Sequence, residues 1–580
     1  MEPAKQNEQA SRLRDFIRFF GLAEAAVRFV ESSDWAGAWD NADATDGTPR
    51  VIELPAKESM ARPEWQDFIP PSAPHGDIFI FGAQTRPPDP EQKSPERDTA
   101  RTCEIQFSND RHWSALQGLT TEWELCLRPF RPPDFVSSAG WRPLLTINGT
   151  PWFLERRSEH GTVFLWIGPE LPDIRSPLRR AELFNPERLL THLLGVLPIM
   201  FFFRHAFGAR IWHSPVNFAN LIIDDPPVRD HYGFFSPARY LDALQDLPSA
   251  TTVGFIPWYF RRSTASAAEI FRSNQGRLSL CVHGCDHTDK EFGSSDQARL
   301  TAKCRLALQR MEQLRLLTGV PCAAVMVFPQ GHFSKAAVAA LQETGFLAAI
   351  DSTRLPVDLN DGEISISNLL QPAVTIYGGF PLFRRRYPRD VSISALDLFI
   401  GRPALFVEHH GYFRDDHVAC RQFVSGLNKL PGSVVWAPVE HIVSRACLQR
   451  ELSPGTYEVL YYTREFILEN RSDETRTYLL KKHEPLTELI ESVLVDGKPT
   501  DYAHGDARLS LSLTLPPHAA VTVRVKVNAP VYPSPPSAGS LPYRAGVWVR
   551  RSLCEIRDNN PWLFHLNQLL RGGHSRRGNV

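Results

Sequence analysis

Long hydrophobic runs are missing from this chain of 580 residues. The longest, Leu193–Phe203, spans 11 residues and contains Pro198. A membrane-spanning helix needs about 20, so the run reads as a buried helix and no transmembrane segment is expected. The nine cysteines include no CxxC pair, and an odd number scattered from Cys103 to Cys554 does not make a disulfide framework. Free, mostly buried thiols in a reducing compartment are expected instead. An excess of either charge is missing too. The 64 Lys and Arg stand against 65 Asp and Glu, so no strong global field points to nucleic acid or a membrane surface. The polar opening MEPAKQNEQASRLRDF lacks the apolar core of a signal peptide, and a soluble, cytoplasmic protein is expected. Internal repeats are absent.

What is present is an ordinary globular balance, 43% hydrophobic and 22% charged. The chain is too long for one core, and about three or four domains is the natural expectation. Residues 1–205 mix helix and strand signals and are expected to form an α/β accessory domain. Leu13–Val30 carries Phe16, Phe19, Phe20, Leu22, Ala26 and Phe29 at helical spacing. Asp77–Gly82 reads as a short buried strand, and Pro151–Glu155 with Thr162–Ile167 as a hairpin around Ser158–Gly161. Pro70–Pro74 and Pro87–Pro95 read as loops.

From 206 to 450 apolar strand-like runs alternate with amphipathic helices, which argues for βα units around a parallel sheet or barrel. One helix opens at Ser236-Pro237. Another carries Leu300, Cys304, Ala307, Met311 and Leu314 and stops at Gly319; a third runs from Ser334 to Gly345. Residues 451–529 break into short β-branched or alternating runs and read as an antiparallel β-sandwich. Residues 530–580 hold the Pro/Ser linker Pro530–Pro542 and a short helical, finally basic tail.

The central region concentrates the chemistry. NLII ends in Asp224-Asp225, LSLCV in His283 with His287 following, and FLAAI in Asp351. AVMVF runs into Pro329-Gln330-Gly331-His332, and ALFV precedes Glu408-His409-His410. A parallel barrel builds its active site at the C-terminal ends of several strands, and five runs ending this way fit that plan. Adjacent carboxylates repel unless a cation or proton sits between them. Consecutive side chains on a strand point in different directions, so one Asp can hold a metal while the other faces a water. Either element alone could be a polar loop. Together, two imidazoles and a carboxylate make a metal set with open positions, suited to one divalent ion: Zn²⁺ by default, with Fe²⁺, Co²⁺ or Ni²⁺ also acceptable.

These motifs resemble polysaccharide deacetylases of the NodB-homology type, in the glycoside hydrolase/deacetylase superfamily. The resemblance covers Asn217–His410. It implies a distorted (β/α) barrel, Asp225, His283 and His287 as metal ligands, and Asp224 as general base. The general acid would come from the late motif, at His409 or its neighbour His410. The substrate would be an acetylated saccharide or glycan precursor, lipid-linked or nucleotide-linked if the protein is cytoplasmic.

Two departures bear on activity. The family's Arg-x-Pro motif has Val327 where the Arg belongs, and that Arg normally orients the base. Arg384-Arg385-Arg386 offers a replacement from another strand, although an Arg triplet is more often a solvated patch. Asp351 lacks the Trp the family has after it. Two other readings therefore stand beside deacetylation. One is an inactive saccharide-binding scaffold. The other is a glycosidase using Asp224 with Asp351 or Glu408, which needs carboxyl groups about 5–9 Å apart. Oligomeric state is not legible.

Overall fold

The computed structural model describes residues 2–30, 48–53, 76–82, 100–127, 140–159, 161–485, 487–528 and 537–565, with isolated positions at 130, 132 and 136. The two proline-rich loops, much of the Pro/Ser linker and the basic end HSRRGNV lie outside the described residues. Contacts divide the chain into two units, 1–213 with 360–370 and 214–359 with 371–580.

The first unit is built on a mixed eight-stranded sheet. Arg28–Val30, Arg50–Glu53, Ile78–Phe81 and Thr162–Trp166 run parallel, and the remaining pairings are antiparallel. Ile78–Phe81 is buried at every position, as its unbroken apolar sequence requires. The helical spacing over Leu13–Val30 does not make one helix: the N-terminal helix ends at Phe19, and Arg28–Val30 is a strand. Gly21 takes φ 78° and the Leu22 N–H donates to the Ile17 carbonyl at 2.9 Å, the left-handed ending that stops a helix. The apolar run at Leu193–Phe203 lies inside the helix Pro186–Phe207, capped by Asn185 on the Arg188 N–H. By length and composition Pro186–Arg210 could cross a membrane. Its phenylalanines, however, close the core of this sheet: the ring of Phe201 is 4.6 Å from Trp113, and that of Phe202 is 5.4 Å from Phe79.

The second unit contains a closed parallel barrel of seven strands: β1 Asn217–Asp224, β2 Thr251–Phe255, β3 Leu278–His283, β4 Ala323–Val327, β5 Ala348–Asp351, β6 Leu382–Arg386 and β7 Ala404–His409. The seam is β7 against β1, with His409 opposite Asp224. The first half of β1 also pairs with Val434–Trp436, its second half with β2, and β3 bulges between Cys281 and Val282. This is the distorted (β/α) barrel expected. Its interior is apolar, with Ile222, Val325, Val327, Ile350, Phe383 and Leu405 among the buried residues. Each such side chain contributes roughly 1.5–3 kcal/mol.

The helices follow local chemistry. Gln297–Thr318 starts on Asp296, whose carboxylate accepts from the Arg299 N–H, and stops at left-handed Gly319. Lys335–Thr344 starts on Ser334 and stops at Gly345. Beyond the barrel, strands from Cys447 to Val527 form a five-stranded and a four-stranded sheet around Val459, Leu480, Leu509 and Val523, the β-sandwich expected. The antiparallel expectation fails at one pairing, Thr456–Tyr461 with Arg476–His483, which is parallel because Glu465–Glu469, between them in sequence, pairs in the other sheet.

Candidate metal centre

The ends of β1 and β3 bring the sequence-predicted ligands together. Asp224 is the last residue of β1 and 2% exposed. Asp225 turns out of the strand at φ 86°, with its N–H on the Gly254 carbonyl at 3.1 Å. Both carboxylates stay beside the same imidazole, His283 Nε2 lying 3.9 Å from Asp224 Oδ2 and 3.7 Å from Asp225 Oδ1. Gly254 makes the room: a Cβ there would stand 2.8 Å from Asp224 Oδ1 and 3.4 Å from the His283 Cβ.

His283 is buried at the end of β3, and its Nδ1 donates to the Val327 carbonyl at 3.0 Å. That bond fixes the tautomer and leaves Nε2 free as a ligand. His287 Nε2 lies 3.4 Å and His283 Nε2 3.7 Å from Asp225 Oδ1. Burial pushes His283 down to about 4, against the opposing pull of Asp224, so the ring is neutral and able to ligate near neutral pH. Burial alone would raise Asp225, but His287 and His283 outweigh it and hold its carboxyl far below the usual range.

The loop between the histidines is shaped by a carboxylate the sequence reading did not single out. Glu291 accepts the backbone N–H groups of Cys285, Asp286 and His287 at 3.1, 2.9 and 3.0 Å, and Lys303 Nζ at 2.8 Å. Gly284, at φ 68°, passes so close to Pro329 and Glu291 that a Cβ would meet both within 2.7 Å. An acid four residues after His287 was the available signal. Cys285, Asp286 and Glu291 form a second close trio, but Lys303 and Arg310 already neutralise its carboxylates, with Arg310 2.6 Å from Asp286.

Val327 lies in the barrel core, so no guanidinium reaches Asp224 from that position. It comes from β6 instead. Arg385 Nη1 is 2.9 Å from both oxygens of Asp224, and the two side chains are 5% and 2% exposed. Strand alternation explains the triplet. Arg385 points into the barrel, while its neighbour Arg386 pairs with Asp397 on the helix Val391–Phe399. Burial would raise Asp224; Arg385 first, then His283 and His409, reverse that and keep it low.

The two candidate acids separate. His409 is exposed, faces Asp224 across the β7–β1 seam, and acts electrostatically on both Asp224 and Asp225. His410 is 3% exposed, with Nε2 3.6 Å from Asp558 and its ring 4.8 Å from Phe564. Asp351 is fully buried and accepts from Thr353 and Arg354, whereas burial raises Glu408.

The residues 530–580, read from sequence as linker and tail, contain the helix Leu541–Asn559, and it reaches this face of the barrel. Tyr232 donates to its Asp558 at 2.7 Å, Arg229 and Arg262 pair with Glu555 at 2.7 and 2.6 Å, and Tyr543 donates to Asp286 at 2.8 Å. The helix thus touches loops following β1, β2, β3 and β7. Its Arg551 is 4% exposed, has an unpartnered Nε, and is raised by Tyr259 and Asp225 against burial. Nothing local in the sequence signals this docking.

The donor set suits a divalent ion. Asp225 Oδ1 is buried without a hydrogen-bond partner, and one ligand atom each from Asp225, His283 and His287 lies within 4.8 Å of the others. Bonds of about 2.1 Å at tetrahedral angles separate ligand atoms by about 3.4 Å, close to the spacing found.

No protein-family model matches the chain, and no curated protein matches it in sequence. Solved structures similar to it include the carbohydrate deacetylase Agd3, at 10% identity over 86% of this chain and 98% of that one, with a TM-score of 0.41. A family 4 carbohydrate esterase from Streptomyces lividans in complex with acetate gives 11% identity over 36% and 88%, TM-score 0.23. The chitin deacetylase of the fungal pathogen Colletotrichum lindemuthianum gives 14% over 39% and 87%, TM-score 0.24. What the chain resembles is thus a set of carbohydrate deacetylases. Identity and TM-score are low throughout, and the barrel is established by this chain's own strand pairing.

Proposed function

We propose that this protein is a metal-dependent hydrolase that removes an acetyl group from a saccharide. The observation that carries the reading is a buried Asp224–Arg385 pair set directly beside the Asp225, His283 and His287 trio. Asp225, His283 and His287 would hold the ion, with Zn²⁺ the default. When bound, it lowers the pKa of a water to about 7 and polarises an acyl carbonyl. Asp224 would take the proton from the attacking water, and Arg385 keeps that carboxylate ionised and aimed. His409 would give a proton to the departing nitrogen or oxygen; it is favoured over His410 because His410 is engaged with Asp558.

Arg385 beside Asp224 supports the active reading over an inactive scaffold, which was motivated by the Arg missing at Val327. Against the glycosidase reading, Asp351 Oδ2 already accepts from Thr353 and Arg354, which leaves that reading Asp351 Oδ1 and Glu408 as partners for Asp224. A reducing, cytoplasmic setting belongs to the same proposal, since all nine cysteines are free thiols. The test is acetate release from acetylated oligosaccharides and glycan precursors by the purified chain. Activity that Asp224→Asn abolishes supports the assignment. Acetate release surviving in Asp224→Asn would overturn the base, and a new reducing end without acetate would overturn the reaction.

A further inference from the structure

The helix Leu541–Asn559 has an inner face that binds the barrel loops through Val547, Arg551 and Asp558. Its outer face is apolar and bare: Val549 is 48% exposed, Trp548 56%, Ile556 58% and Leu553 62%, and Trp562 just beyond is 70% exposed. A soluble helix normally turns such residues inward. Ile556 also lines a cavity of about 720 Å³ whose other walls include Arg229, Arg261, Arg262 and the carboxylates Asp230 and Glu555, three arginines against two acids.

Charge at this face departs from the rest of the chain, whose net charge is −1. Leaving aside the buried Arg551 and the Arg557–Asp558 pair, arginines 229, 261, 262, 544 and 550 stand against Asp230 and Glu555, with Arg229 and Arg262 sharing Glu555. An apolar stripe with tryptophan, bordered by arginines and by a basic cavity, is the pattern of a helix that lies in the headgroup region of an anionic lipid surface.

We propose that the outer face of this helix docks on an anionic membrane surface, with Leu553 and Ile556 entering the acyl boundary and the arginine-lined cavity taking a lipid phosphate. The inner face of the helix rests on loops that follow β1, β2, β3 and β7, so docking of its outer face sets the strand-end side of the barrel beside the lipid. The proposal does not depend on the hydrolase reading, and its test needs no substrate.

The full chain is floated with vesicles of phosphatidylcholine alone and of equal parts phosphatidylcholine and phosphatidylglycerol. It is expected to float with the anionic vesicles only, and less at high salt. The double variant Leu553→Glu/Ile556→Glu should lose about tenfold in partitioning, and Arg261→Glu should weaken it, with circular dichroism unchanged in both. Failure of the wild-type chain to bind anionic vesicles, or equal binding by the double variant, would overturn the proposal. So would a dimer in sedimentation velocity that the double variant dissociates without any vesicle binding, since a second copy would then cover the face.

Discussion

Replacing Arg385 with methionine leaves Asp224 as a carboxylate 2% exposed and without its partner. Two unit charges about 4 Å apart in a medium of effective dielectric about 20 attract by about 4 kcal/mol. Breaking a buried pair by removing one member costs about 3–5 kcal/mol by a separate route. The two figures agree, so Arg385→Met should destabilise the barrel at neutral pH by about 4 kcal/mol. Part of that loss appears as proton uptake by Asp224. The assay is urea unfolding of the wild type, Arg385→Met, Asp224→Asn and the double variant, closed into a thermodynamic cycle. The coupling energy should be about 3 kcal/mol or more, and the double variant should be more stable than Arg385→Met alone. A coupling below about 1 kcal/mol, the level of an exposed ion pair, would refute the reasoning.

Glu291→Ala removes the acceptor of three backbone N–H groups around His287, and zinc affinity measured against a competing chelator should fall about 10–100-fold; unchanged affinity would mean the loop needs no such anchor. In metal-free protein, His283 has its pKa lowered by burial to about 4. A lowered folded-state value means its contribution is present above the unfolded value of about 6.5 and is lost as pH falls toward 4, by about 3 kcal/mol in total. His283→Gln should therefore flatten the stability profile between those values, and parallel profiles would contradict the burial. Gly254→Ala places a Cβ 2.8 Å from Asp224 Oδ1 and should cost about 1–3 kcal/mol in unfolding free energy.

Much of the barrel was legible because strand alternation and ligand chemistry are both local. The runs ending in Asp224, His283, Asp351 and Glu408 are β1, β3, β5 and β7, and Ala323–Val327 is β4. One strand escaped and another carried mixed signals. β2 is TTVGF, with a glycine the Asp224 carboxylate requires, and β6 is LFRRR, whose triplet reads either as a replacement guanidinium or as a solvated patch until its arginines meet Asp224 and Asp397. The overlong N-terminal helix failed at Gly21, where periodicity continues and the backbone does not. The docking of Leu541–Asn559 was hidden for a different reason. Its contacts are with residues roughly 150–330 positions away, as with Tyr232 and Asp558, and its polarity is inverted, with Arg551 and Asp558 inside and Leu553 and Ile556 outside.

The claim on which the rest depends is that Asp225, His283 and His287 hold a divalent ion. Elemental analysis of the purified, unchelated chain tests it directly. Close to one equivalent of zinc, or of iron, cobalt or nickel, is predicted in the wild type and none in His283→Ala. A wild-type chain free of these metals and failing to bind added zinc would contradict it.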